Sequence, residues 1–149
     1  MGTMYQDVLV PPDGSDTVSE TLDHAIDLAR NHDATIHALY VVDSRIVAAA
    51  DDGTRSDLEG TLEREGAEAV AAVERRARSE GLDAVTAVRP GTPSRVIREY
   101  AEEADVDIVV IGTTGKTPRE KVTSLGSVSE RVVDSASVPV LVVRNAGAE

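Results

Sequence analysis

The run from Gly112 to Ser127, GTTGKTPREKVTSLGS, holds the residue types and spacing that bind an anion. Glycines at its two ends, Gly112, Gly115 and Gly126, let backbone N–H groups approach a ligand closely. The apolar run Val106-Asp107-Ile108-Val109-Val110-Ile111 precedes it, and Val128-Ser129-Glu130-Arg131-Val132-Val133 follows it. Strand, glycine-bearing loop and helix N-terminus, in that order, form an arrangement that accepts phosphate. Ser127 suits the N-cap of the last helix, whose amino end carries the positive end of its dipole. Lys116, Arg119 and Lys121 against Glu120 give the loop a charge of +2 on a chain of −12. A cationic stretch on an acidic chain calls for a specific anion. Gly115-Lys116-Thr117 matches only the end of the P-loop pattern G-x-x-x-x-G-K-[ST], because position 110, where the first glycine belongs, is Val110.

Other chemistry-bearing residues divide into one candidate and several plain readings. Asp13, in Pro11-Pro12-Asp13-Gly14-Ser15, is a turn residue by type and a ligand candidate by position, since it follows the first strand. His24, His32 and His37 form no i,i+4 pair or convergent motif, so metal binding is not expected. The pairs Asp51-Asp52 and Glu102-Glu103 read as solvated faces. Ser127 has no histidine near it in sequence to make it a nucleophile, and no pair of carboxylates is marked for acid–base work. No catalytic residue is assigned.

The chain has 149 residues, enough for one domain with a real core, read as spanning 1–149. It has no cysteine, which rules out disulfides and thiolate metal sites. No apolar run approaches membrane-span length, and the first residues lack a basic-then-apolar leader, so the expectation is a soluble cytoplasmic protein. A net charge of −12 opposes binding to nucleic acid or anionic membranes, and three tyrosines are the only aromatics available for base stacking. The spread-out acidity fits an ordinary acidic protein. It also fits, and more sharply, a halophilic one whose surface repulsion is screened by salt.

These residues need a scaffold, and strands alternating with helices supply it. Strands are expected at Asp7–Val10, Thr35–Val42, Ala84–Val88, Val106–Ile111 and Pro139–Val143. Helices are expected around Leu22-Ala25-Ile26-Ala29, from Leu58 to Ala77 with Gly81 closing, from Thr92-Pro93-Ser94 through Val96, Ile97, Tyr100 and Ala101, and around Val128-Val132-Val133. Asp43 to Asp57 reads as irregular. Five near-continuous apolar strands and four helices imply an α/β, doubly wound parallel sheet covered on both faces. In such sheets ligands bind beyond the carboxyl ends of strands where the strand order reverses.

At this point the chain resembles the universal stress protein family, in particular its ATP-binding branch. That branch carries G-x2-G-x9-G-[ST] between the fourth strand and the last helix, matched here by Gly112, Gly115, Gly126 and Ser127. Pro11-Pro12-Asp13-Gly14-Ser15, Tyr40-Val41-Val42-Asp43, Gly91-Thr92-Pro93 and Val138-Pro139-Val140-Leu141-Val142-Val143 also fit, so the resemblance covers nearly the whole chain. It implies a Rossmann-like sheet of strand order 3-2-1-4-5 and an ATP, with Mg²⁺, lying across strands one and four. Asp13 and the Pro11-Pro12 backbone would sit by ribose and adenine, and Val41 would meet the adenine through its backbone. Gly112, Gly115, Gly126, Ser127 and Val128 would line the phosphates, beside Lys116. Two departures stand out. Ten residues rather than nine separate Gly115 from Gly126, and Pro12 brings no N–H. The expected function is an adenine-nucleotide-binding stress or signalling switch read by an unidentified protein partner. Two alternatives are a slow ATPase or phosphotransferase and a dimeric scaffold of the same fold without nucleotide. The apolar strand Val138–Val143, at a sheet edge in that order, also predicts a homodimer.

Overall fold

The computed structural model describes residues 4–13, 18–113 and 127–144. Five strands, β1 (Asp7–Val10), β2 (Thr35–Asp43), β3 (Ala84–Gly91), β4 (Ile108–Gly112) and β5 (Val140–Val143), form one parallel sheet in the order β3-β2-β1-β4-β5. Among the described residues there are five helices: α1 (Val18–His32), α2 (Ser44–Ala49), α3 (Asp52–Ser79), α4 (Pro93–Glu103) and α5 (Ser127–Ser135). The four long ones are those that apolar periodicity predicts. The short α2 lies inside the stretch expected to be irregular.

Alternation along each strand feeds two separate cores, which is why the strands read as continuous apolar runs. Val8, Val10, Ile36, Ala38, Tyr40 and Val110 face α1 and α3, meeting Leu22, Ala25, Ile26, Val70, Val73 and Ala77. Leu9, Leu39, Val109 and Ile111 face the other way, meeting Val96, Ile97, Tyr100 and Ala101 of α4 and Val132 of α5. The central strands β1 and β4 are almost fully shielded, which fixes their register: a one-residue slip would exchange the two cores.

Two elements run more than one residue past their expected limits. β3 continues through Arg89-Pro90-Gly91 and pairs with Val41-Val42-Asp43. Proline is tolerated there because β3 is an edge strand. Gly91 then turns the chain into α4 with φ 142°, and a Cβ on it would lie 2.5 Å from Val96 Cγ2. The helix α3 starts at Asp52, ahead of its first apolar residue Leu58.

Polar side chains brace the amino end of the sheet. Asp107 Oδ2 accepts from the backbone N–H groups of Gln6 (2.8 Å) and Asp7 (3.0 Å), joining the start of β1 to the approach to β4. His37 is buried between Tyr100 and Asp7, with Nδ1 2.8 Å from the Tyr100 hydroxyl and Nε2 2.8 Å from Asp7 Oδ1. From nearer the carboxyl end of β3, Arg89 lies over the Tyr100 ring at 4.9 Å from its centroid and pairs with Glu103 at 3.0 Å.

Candidate functional site

β1 and β4 are neighbours, yet their connections leave on opposite faces: β1 leads to α1 in one core and β4 leads toward α5 in the other. That divergence is a topological switch point, and in sheets of this class ligands bind in the crevice beyond the carboxyl ends of the two strands. Pro11, Pro12 and Asp13 follow β1 at this end, with Pro12 buried and Asp13 exposed. Gly112 ends β4 opposite Val143, and the Thr113 N–H donates to the Val143 carbonyl at 3.0 Å.

The walls of the crevice are stepped. Val10, the last residue of β1, pairs with Ala38, while β2 runs on to Asp43. Half-buried Val41 therefore stands beyond the end of β1, with its backbone paired to Arg89 on its far side. On the β4 side, the buried Ser129 hydroxyl donates to the Gly112 carbonyl at 2.6 Å, across 17 residues of chain. That bond sets the first turn of α5, which includes Ser127 and Val128, against the end of β4. Pro11, Pro12, Asp13, Val41, Gly112 and Val128 thus share one end of the sheet. Gly115, Lys116 and Gly126, with the other cations of the loop, lie outside the described residues, and Ser127 is described only as the first residue of α5.

Electrostatics at this end involve residues that sequence reasoning did not assign to the site. Tyr40 is buried under α3, and its hydroxyl is pushed up above the usual phenol range by burial, then by the carboxylates of Glu65 and Asp13. The phenol therefore stays neutral, in the field of both carboxylates. Asp43 ends β2, caps α2 by accepting from the Arg45 N–H at 3.0 Å, and holds the Arg45 guanidinium at 3.0 and 2.9 Å. The Arg45 side-chain bonds, outweighing partial burial, hold the Asp43 carboxyl below its ordinary range. Ser129 was detectable only as a second serine two places after Ser127; its partner is too far along the chain to read. His37, by contrast, belongs to the amino end, since its partner Asp7 opens β1. Among the described residues, this end of the sheet offers backbone groups and the exposed carboxylate of Asp13, while the Asp43 carboxylate is taken up by Arg45.

The model of the family described as universal stress proteins matches residues 4–144. A universal stress protein of Methanocaldococcus jannaschii is 41% identical over 142 residues, covering 95% of this chain and 83% of its own length. The solved structure of universal stress protein UspA from Lactobacillus plantarum is 32% identical with a TM-score of 0.79, covering 94% of this chain and 98% of that one. A universal stress protein solved in complex with cAMP is 26% identical with a TM-score of 0.64, covering 95% of this chain and 98% of that one.

Proposed function

The chain belongs to the universal stress protein family, and from that premise we propose that it is a stress or signalling protein that binds an adenine nucleotide, ATP with Mg²⁺, in the crevice between β1 and β4. The observation that carries this reading is the clasp at the switch point: the end of β4 at Gly112 is bonded to the first turn of a helix whose amino end lies at the same end of the sheet. The relative solved with cAMP supports the ligand class. In this reading Asp13 and the Pro11-Pro12 backbone serve ribose and adenine, and the Val41 backbone meets the base. Amides of Gly112, Gly115, Gly126, Ser127 and Val128 serve the phosphates, with Lys116 beside them. Among the described residues no cluster of three acidic or imidazole groups could hold a metal. In this reading Mg²⁺ would arrive on the phosphate oxygens and keep most of its water, as this ion does at many nucleotide sites. Nucleotide would order the 112–127 loop and so change a surface that a partner protein reads. The ten-residue spacing between Gly115 and Gly126 favours one second reading, a scaffold of the same fold without nucleotide.

Titration calorimetry on the full chain tests the site. Gly126→Val is expected to weaken ATP binding about tenfold to a hundredfold, or about 1.4–2.8 kcal/mol, because a β-branched side chain keeps backbone from approaching phosphate. Lys116→Ala is expected to cost less, since an exposed cation is screened by salt. Equal affinities in wild type and Gly126→Val would remove the loop from the reading. No binding by wild type would leave the scaffold.

We further propose a homodimer through β5. In the observed order β5 is an edge strand, with Leu141 37% exposed and Val133 of α5 42% exposed. An exposed apolar edge calls for cover, and the same strand of a second copy supplies it around a two-fold axis. Leu141→Arg should give monomers or insoluble protein by light scattering in molar potassium chloride, where the acidic surfaces are screened. A monomeric wild type at high concentration under those conditions would overturn the interface.

A further inference from the structure

Ser129 is the third residue of α5 and only 5% exposed. A serine in the first turn of a helix commonly turns its oxygen back to the helix's own N–H groups. Here the hydroxyl donates outward instead, to the carbonyl of Gly112, at 2.6 Å. Gly112 is the last residue of β4, and its neighbour Thr113 still donates to β5 through the Val143 carbonyl. The Gly112 end of the strand is therefore held on two sides, by β5 and by α5. As in any helix, the N–H groups of the first turn of α5 have no intrahelical partners, and that turn lies beside Gly112 at the carboxyl end of β4.

From this geometry we infer that Ser129 is a positioning residue for the phosphate-binding half of the site: its hydroxyl sets the separation between the end of β4 and the amino end of α5. The inference rests on the nucleotide reading and deepens it. A phosphate cradled by amides from two elements is sensitive to displacements well below 1 Å, because each N–H bond weakens with distance and angle. Packing of Val128 and Val132 into the α4–α5 core holds the helix in place when the hydroxyl is gone, so the loss falls on alignment and not on folding. Ribose and adenine, served from β1 and β2, lie outside the reach of the clasp. The consequence is a split: Ser129 matters to a ligand with phosphates and not to one without.

The test compares wild type and Ser129→Ala by titration calorimetry with two probes, ATP and adenosine, after thermal melts show both proteins folded. Ser129→Ala is expected to lose about tenfold in ATP affinity, equivalent to about 1.4 kcal/mol, and to bind adenosine as wild type does. Unchanged ATP affinity, an equal loss for both probes, or an unfolded variant would each overturn the positioning role. A wild type that binds neither probe would overturn the nucleotide reading itself and the inference with it, and is distinguishable because no variant is needed to see it.

Discussion

Gly66→Val is expected to destabilise the protein by about 3 kcal/mol, or about 6–12 °C in Tm, whereas Gly53→Ala and Gly60→Ala in the same helix are expected to stabilise it by about 0.5–1 kcal/mol each. All three glycines sit inside α3, where glycine is intrinsically unfavourable. A Cβ at Gly53 would meet nothing within 4 Å, and one at Gly60 would meet only Arg64 Nη1 at 3.6 Å. At Gly66 a Cβ would lie 2.9 Å from Tyr40 Cγ, and closer still to Cδ1. Cγ is the root of the ring, so the clash cannot be relieved by swinging the far end of the side chain. Tyr40 is also buried in the core between β2 and α3. The ring or the helix must move, and overpacking then outweighs any gain in helix propensity. Urea melts of the three variants would check the signs; a Gly66→Val protein as stable as wild type would show that the Tyr40 contact is not tight.

Which parts of this arrangement were legible follows from what creates each signal. Strands β1, β2 and β4 and the four long helices were legible because buried faces impose apolar periodicity. The carboxyl-end segments Pro11–Asp13 and Gly112 were legible because proline and glycine punctuate strand ends. The helix α2 was not, since none of its residues is buried and it carries no periodic stripe. It is held by polar clasps instead: Asp43 on Arg45 at one end, and the Arg55 guanidinium on the Ala48 and Ala50 carbonyls, both at 3.2 Å, at the other. The first turns of α3, exposed from Asp52 to Asp57, failed to register for the same reason. β3 outran its apparent stop because breakers are tolerated at an edge. Side-chain pairs set by tertiary structure left no local trace: Ser129 finds Gly112 17 residues away, and His37 finds Tyr100 63 residues away.

That last pairing gives the other large expected effect. His37→Leu is expected to cost about 3 kcal/mol and Tyr100→Phe about 1–2 kcal/mol, while the double variant should cost about 1–2 kcal/mol less than their sum. An imidazole with one ring proton satisfies this site in one way: Nε2–H donates to Asp7 Oδ1 and Nδ1 accepts from the Tyr100 hydroxyl, each at 2.8 Å. The chain of bonds crosses from β1 through β2 to α4, so it locks a helix to the sheet as well as satisfying three polar groups. Removing His37 leaves the Tyr100 hydroxyl without its acceptor in a layer only 4% exposed, and Asp7 without a donor. Burial pushes the Tyr100 phenol up despite the Arg89 cation over its ring, so ionisation offers no escape. Removing Tyr100 Oη leaves Nδ1 as a buried acceptor without a partner, a smaller loss. Once His37 is leucine, however, the same hydroxyl is a liability, and its removal relieves a buried unpaired donor. The coupling must therefore be favourable to the double variant. Urea unfolding of the four proteins at one pH measures it. Additivity within about 0.5 kcal/mol would mean that the three groups do not act as one network.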